Sequence, residues 1–562
     1  MLPLVQVKNL CISFIQEHEN TPAVKNISFE IPRGKITALI GESGSGKSVT
    51  ALSLMQLLSS SASVKGEILF SEAGNAAVDL LLFSKEKIRQ FRGNKIAMIF
   101  QEPMTSLNPV HTCGAQVIES LMLHKKLSKQ KAKEETIALF KKVELPQPEK
   151  MLKRYPHELS GGQKQRVMIA MAMSCGPALL IADEPTTALD VRVQKNILGL
   201  IKKLQQETGM SVLLITHDLA LVADTADEMA VMYRGEIVES GGAQKVLAAP
   251  AHSYTRALMN CRPAVHEKGK KLPVIGGKDV EEKSTLVSTN GTSTISEETI
   301  LSVQHLTVSF PTEKNIFGKI KESYKAVNDV SFDVKKNETV GLVGESGCGK
   351  TTLGRAVLQL IYPDAGKIIL NGRDLARCSA AELRVMRKDL QVVFQDPYGS
   401  LNPRLSIGEA IIEPMKVYFR ARSKYERKER AAELLEKVNM NADMMNRYPH
   451  QFSGGQRQRI CIARALALNP EFLIFDESVS ALDVSVQAQI LNLITDLKSS
   501  YGFSSIFISH DLSVIRYISD RVMVMQEGRI VETGTPDDIF LSPKENYTKE
   551  LLAAIPGAGF LN

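Results

Sequence analysis

GESGSGKSVT, residues 41–50, returns in the second half of the chain as GESGCGKTT, residues 344–352. Both follow the spacing GxxxxGK[ST], in which the glycines let successive backbone N–H groups turn inward around an anion. The helix that follows adds the positive end of its dipole. Lys47 and Lys350 supply positive charge for phosphate oxygens, and Ser48 and Thr351 supply hydroxyls for a divalent cation. The apolar runs ITALIG and TVGLVG precede the loops and read as buried strands; SVTALSLMQLL and TLGRAVLQLI follow and read as helices. Each loop therefore joins a strand to a helix, as phosphate binding requires. One such pattern arises by chance in about one of fifty chains of this composition, and two far more rarely. The candidate phosphate contacts are Gly41, Glu42, Ser43, Gly44, Ser45, Gly46, Lys47, Ser48 and Val49, with Gly344, Glu345, Ser346, Gly347, Cys348, Gly349, Lys350, Thr351 and Thr352 in the second copy.

The repeat extends beyond the loops. Lys47 pairs with Lys350 at an offset of 303, Gln101 with Gln395 at 294, and Ser160, Asp183 and His217 with Ser453, Asp476 and His510 at 293. The chain is thus a duplication, with a first domain over 1–263 and a second over 301–562. Between them, 264–300 lacks apolar periodicity and is rich in Ser, Thr, Gly and charge, the composition of a flexible linker. Within each half, short apolar runs alternate with longer helical patterns, which predicts an α/β fold with a largely parallel sheet.

LLIADEP at 179–185 and FLIFDES at 472–478 end buried strands on an acidic pair. After a phosphate loop, Asp183 and Asp476 can hold the shell of a magnesium ion, and Glu184 and Glu477 can polarise an attacking water. LSGGQKQR at 159–166 and FSGGQRQR at 452–459 put a serine and two glycines at a helix start, a second anion site 23 residues before each acidic strand.

Together these motifs resemble the ATP-binding-cassette family over nearly the whole chain. The resemblance implies two tandem P-loop nucleotide-binding domains, each with an α/β core and a helical subdomain, binding ATP and Mg²⁺. It further implies head-to-tail pairing of the cassettes. One site would combine Lys47, Asp183 and Glu184 with Ser453, Gly454, Gly455 and Gln456; the other would combine Lys350, Asp476 and Glu477 with Ser160, Gly161, Gly162 and Gln163. Gln101 and Gln395 match the glutamine that senses Mg²⁺ and water, which puts Ser48, Thr351, Gln101, Gln395, Asp183 and Asp476 around the metal. His217 and His510 match the γ-phosphate histidine, each 34 residues after its aspartate. Asp190 and Asp483 match an acidic loop that crosses between cassettes, or else cap helices. Phe14 and Phe310 match the aromatic that stacks on adenine, with Tyr324 a rival in the second half.

Composition sets the surroundings. The 69 Lys and Arg against 62 Asp and Glu are interleaved, giving +7 with no long basic arm, so no nucleic-acid partner is expected. Seven scattered cysteines form no CxxC pair and suit a reducing cytoplasm. No window is apolar enough for a membrane span, and the first residues lack a signal-peptide pattern. FQEPMTSLNP, FQDPYGSLNP and the tail repeats HSYTRALM (252–259) and NYTKELLAAIP (546–556) resemble the peptide, nickel and glutathione branch of bacterial importers, and the tandem arrangement is similar to its fused ATPase subunits. Some members bear an iron–sulfur cluster after the first tail; only Cys261 lies there, and no cluster is expected. The resemblance implies an ATPase on the cytoplasmic face of the inner membrane, peripheral through two permease subunits, with an extracytoplasmic solute-binding protein upstream. The alternative is a soluble, non-transport cassette ATPase such as a translation or DNA repair factor.

Overall fold

A computed structural model describes residues 2–16, 19–72, 76–101, 106–186, 189–263, 266, 268–275, 295–314, 320–419, 421, 423–480 and 482–555. The chain forms two compact units, Met1–Met259 and Asn260–Ile555. Among the described residues no helix is long and apolar enough to cross a membrane.

In the first unit the strand before the phosphate loop, Ile36–Ile40, sits inside a six-stranded sheet in the order Glu236–Gly242, Glu228–Tyr233, Ile36–Ile40, Ser211–Thr216, Leu179–Asp183, Ile96–Ile99. All neighbours run parallel except the Glu236–Gly242 edge. Strands buried on both faces read as continuous apolar runs, which is why ITALI and LLIAD stand out in the sequence. Leu213 and Ile215 face one core while Val212 and Leu214 face the other, the period-two alternation of a strand between two layers.

One of those layers departs from the expected largely parallel sheet. It is a separate four-stranded antiparallel sheet, ordered Glu19–Ile31, Val5–Gln16, Ala62–Phe70, Val78–Asp79. It covers the core holding Val5, Leu39, Ile181 and Ile215. The opposite core continues into the helices Cys113–Lys125, Lys129–Lys142 and Gly161–Met173, the helical subdomain. The second unit repeats both sheets in the same order, with Thr339–Val343 before its loop and the helices Ile407–Tyr418, Lys424–Lys437 and Gly454–Leu466 in its subdomain.

The described part of the linker, Lys268–Ile275, lies on the second unit. Leu272, 2% exposed, joins that unit's core. Its N–H donates to Asn492 Oδ1 and its carbonyl accepts from Asn492 Nδ2, both at 2.9 Å. Tyr517 donates its hydroxyl to the Lys270 carbonyl at 2.9 Å. Lys268 bonds the Ser519 carbonyl and the Asp520 carboxylate. Asp520 also accepts from Lys498 at 2.9 Å and from the Thr339 N–H at 2.7 Å. Burial alone would push this carboxyl up; the two ammonium groups, Lys498 and then Lys268, outweigh it and hold it below the ordinary range.

A depressed carboxyl contributes stability that is present above its unfolded value, near ~4, and is lost as pH falls through the folded value. Asp520→Asn is therefore expected to destabilise the second unit by roughly 1–3 kcal/mol at neutral pH. Denaturant titrations should show the gap from wild type closing as pH is lowered below the carboxylate range. An equal gap at all pH values would contradict the assignment.

Candidate nucleotide sites

Each phosphate loop is built as its glycines require. Ser45 donates its N–H to the Glu42 carbonyl at 3.1 Å, and Cys348 to Glu345 at 3.3 Å, closing the turn. Gly46 and Gly349 lie at φ 105° and 111°, where a β-carbon would stand 2.7 Å from the Ala23 carbonyl oxygen and 2.1 Å from that of Ala326. The helices Lys47–Leu54 and Lys350–Val357 start at the lysines themselves. Lys47 Nζ donates to the carbonyls of Gly41 (2.7 Å) and Glu42 (2.8 Å); Lys350 does the same to Gly344 and Glu345, both at 2.8 Å. The charge is buried and held on the loop's own dipoles, positioned for a stronger anionic partner.

Parallel strand neighbours bring the acidic pairs alongside. Ser48 Oγ lies 3.1 Å from Asp183 Oδ1, and Thr351 Oγ1 lies 3.1 Å from Asp476 Oδ1. Burial pushes the Asp183 carboxyl up to about 6, with the charge of Glu184 adding and Ser48 and Lys47 opposing; burial likewise raises Asp476. A buried carboxylate beside a hydroxyl is a hard-oxygen set, and the charge that burial disfavours is what a divalent cation would stabilise, so these residues fit magnesium.

The residue after each aspartate has a backbone conformation that the local sequence pattern does not announce. Glu184 and Glu477 adopt φ 46° and 49°, a left-handed conformation costly for a residue with a side chain. Their N–H groups are fixed on the carbonyls of Ile215 and Ile508 at 2.9 and 3.0 Å. The strain aims both carboxylates at the other expected residues. Gln101 Nε2 donates to Glu184 at 2.9 Å and Gln395 Nε2 to Glu477 at 2.8 Å. His217 and His510 approach the same glutamates at 3.4 and 3.5 Å. Burial alone would raise the Glu477 carboxyl, yet the hydrogen bond and charge of His510 prevail and hold it low.

The SGGQ segments start the helices Gly161–Met173 and Gly454–Leu466 through capping boxes. Ser160 and Ser453 accept the N–H of Gln163 and Gln456 at 3.3 and 3.4 Å, while those glutamines accept the serine N–H groups at 3.2 and 3.0 Å. Asp190 caps the helix Val191–Thr208, accepting the Val193 N–H at 2.9 Å, and Asp483 precedes the helix Val484–Tyr501. Phe14 packs against the first unit's antiparallel-sheet core. Phe310 pairs across strands with Tyr324, and Tyr324 donates its hydroxyl to the phosphate-loop carbonyl of Gly347 at 3.3 Å.

Within each unit, a phosphate loop, an acidic strand end, a glutamine and a histidine converge on one edge of the sheet, which defines a P-loop nucleoside-triphosphatase cassette. Residues 24–187 and 327–480 each match the ABC transporter family, and residues 238–286 match the oligopeptide/dipeptide transporter C-terminal region. The chain belongs to the ABC transporter family and is an ATPase. It is 46% identical to the glutathione import ATP-binding protein GsiA of Pectobacterium atrosepticum, over 99% of this chain and 91% of that protein. Proteins of the same name from Salmonella typhimurium and Escherichia coli K12 are 48% and 47% identical, each over 99% of this chain and 90% of theirs. Solved structures with similarity include the ATP-binding cassette MJ0796 in a post-hydrolysis state bound to ADP and Pi (28% identical, 42% of this chain and 98% of that chain, TM-score 0.39). Another is cbiO1 from Clostridium perfringens, part of the transporter complex cbiONQ (25% identical, 44% and 92%, TM-score 0.38).

The glycine geometry is testable at two positions. Gly46→Ala adds a clash to an unfavourable φ and is expected to abolish tight nucleotide binding. Gly44→Ala, at φ 78° with open space around its β-carbon, should cost only about 1 kcal/mol of backbone strain and retain binding. Equilibrium nucleotide titration of both variants separates the two; equal losses would refute the steric reading.

Proposed function

We propose that this chain is the ATP-hydrolysing subunit of an importer for peptides or related small solutes such as glutathione. The observation that carries the reading is that both halves keep a complete set of loop lysine, strand-end aspartate and glutamate, glutamine and histidine, and that an oligopeptide-transporter region follows the first. The names of the relatives point the same way. The soluble translation or repair factor has no observation in its favour.

In this reading ATP phosphates occupy the loops over Gly41–Val49 and Gly344–Thr352, and Lys47 and Lys350 leave their carbonyls for phosphate oxygens. Ser48 and Asp183, and Thr351 and Asp476, hold Mg²⁺ with Gln101 and Gln395 beside it. The ion supplies charge stabilisation at the phosphates. Glu184 and Glu477 accept the proton of the attacking water, and His217 and His510 pass from these carboxylates to the γ-phosphate. Each ATP is completed by the other half: Ser453, Gly454, Gly455 and Gln456 for the first loop, Ser160, Gly161, Gly162 and Gln163 for the second. Phe14, and Phe310 or Tyr324, lie against adenine. Closure on ATP and reopening after hydrolysis drive two separate permeases fed by an extracytoplasmic binding protein, with the chain peripheral on the cytoplasmic membrane face. A groove of about 590 Å³ in the first helical subdomain, lined by Ile118, Met122, Leu123 and Leu152, offers a permease an apolar surface.

Removing a general base costs about 10²–10⁴-fold in rate. The double variant Glu184→Gln, Glu477→Gln is expected to bind ATP but lose turnover on that scale, measured as phosphate release. Near-normal turnover would sink the assignment. Affinity purification from membranes should recover two multi-spanning permeases, and recovery of ribosomes or DNA instead would overturn the transport reading.

A further inference from the structure

The tail repeats HSYTRALM and NYTKELLAAIP have no part in the chemistry above, yet each sends one side chain to a phosphate loop. The helices Ser253–Asn260 and Asn546–Ala553 contain Tyr254 and Tyr547. The Glu42 N–H donates to Tyr254 Oη at 3.3 Å across 212 residues, and the Glu345 N–H donates to Tyr547 Oη at 3.1 Å across 202 residues.

The peptide group involved matters. Its N–H, on Glu42, meets the tyrosine; its carbonyl, on Gly41, is the one that holds Lys47 at 2.7 Å. In the second unit the Gly344–Glu345 peptide is held the same way, by Tyr547 at its N–H and Lys350 at its carbonyl, the latter at 2.8 Å. One peptide plane in each loop is thus fixed from both ends. When the lysine moves to a phosphate, the carbonyl loses that partner, and the tyrosine bond at the N–H is a hold that stays on the peptide plane. A flip would turn the carbonyl oxygen from the lysine side to the tyrosine side and put an N–H in the place where the lysine is seated. The tyrosine bond opposes that rotation.

The tails that carry the tyrosines are anchored in both units. Glu239 accepts the N–H groups of Ala251 and His252 at 2.7 and 3.1 Å, and Glu532 accepts those of Lys544 and Glu545 at 2.8 and 3.2 Å, anchoring each tail just before its helix. Tyr254 is buried and stacks on Tyr233 with ring centroids 4.1 Å apart. Tyr233 leads into the turn whose Gly235 N–H donates to the Ser45 carbonyl at 3.1 Å; in the second unit Gly528 donates to Cys348 at 2.9 Å. The loop is gripped at its second and fifth residues by elements outside it.

We propose that Tyr254 and Tyr547 are positioning residues for nucleotide binding, latching the Gly41–Glu42 and Gly344–Glu345 peptides in the orientation that presents their carbonyls to Lys47 and Lys350. The latch makes a tail helix part of each ATP site. This rests on the reading of the two loops as ATP sites.

The test uses the full-length chain with Tyr254→Phe and Tyr547→Phe singly and together, which removes the hydroxyl and keeps the ring. Lys47→Ala and Lys350→Ala, singly and together, serve as controls for the site reading. The double Phe variant is expected to weaken ATP binding and raise KM about three- to tenfold with kcat unchanged, because one neutral hydrogen bond is lost from binding at each site and none from the chemical step. Hydrogen exchange at the Glu42 and Glu345 amides should accelerate, with melting close to wild type. Wild-type ATP affinity in the Phe variants while the double Lys variant loses binding would overturn the latch and leave the sites standing. A fall in kcat at unchanged KM, or lowered melting without a change in affinity, would also overturn it. Wild-type ATP binding in the double Lys variant would remove the site reading and the latch together.

Discussion

A loop that wraps an anion must keep its own carbonyls out of the anion's space while leaving its N–H groups turned in, and the rest of each unit serves that constraint. Ala23 and Ala326 lie so close to Gly46 and Gly349 that no β-carbon fits. The lysines hold the carbonyls of Gly41 and Gly344. The turns at Gly235 and Gly528 fix the loop's far side. Even the sheet order follows, because the loop strand lies between two parallel neighbours and its end is flanked by theirs.

That arrangement decides where the remaining chemistry falls. In a parallel sheet the carboxyl ends of the strands open on one edge, so Leu179–Asp183 and Ser211–Thr216 deliver Asp183, Glu184 and His217 to the loop from far along the chain. The left-handed glutamates are the local cost of the design. Their backbone is held by hydrogen bonds to Ile215 and Ile508, and their carboxylates are drawn to a glutamine and a histidine. The same geometry in both units, despite DEP in one and DES in the other, argues that the serine leaves the strand end undisturbed.

What could be read from the sequence was local. Glycine spacing, apolar runs buried on both faces and serine helix caps depend on neighbours a few residues away, and the loops, the acidic strands and the SGGQ helices lie where those signals put them. The signals that failed were long-range. The four-stranded antiparallel sheet pairs Val5–Gln16 with Ala62–Phe70 across the phosphate loop, and no turn motif announces it. Lys268–Ile275 has the polar composition of a linker, yet Leu272 and a reciprocal amide pair with Asn492 fasten it to the second unit. The positive φ of Glu184 and the reach of Tyr254 to Glu42 are imposed by tertiary contacts and leave no mark on the local pattern.

In the function proposed for this chain, each ATP would be completed by the opposite half. The most direct test of that pairing counts ATP retained by the full-length protein in the Glu184→Gln, Glu477→Gln background, where bound nucleotide is not consumed. Lys47→Ala combined with Ser453→Arg would damage a single composite site twice and leave a single ATP retained per chain. Lys47→Ala combined with Ser160→Arg would damage both sites and leave none. The reverse pattern, one ATP with Ser160→Arg and none with Ser453→Arg, would mean that each half completes its own site and would contradict the account.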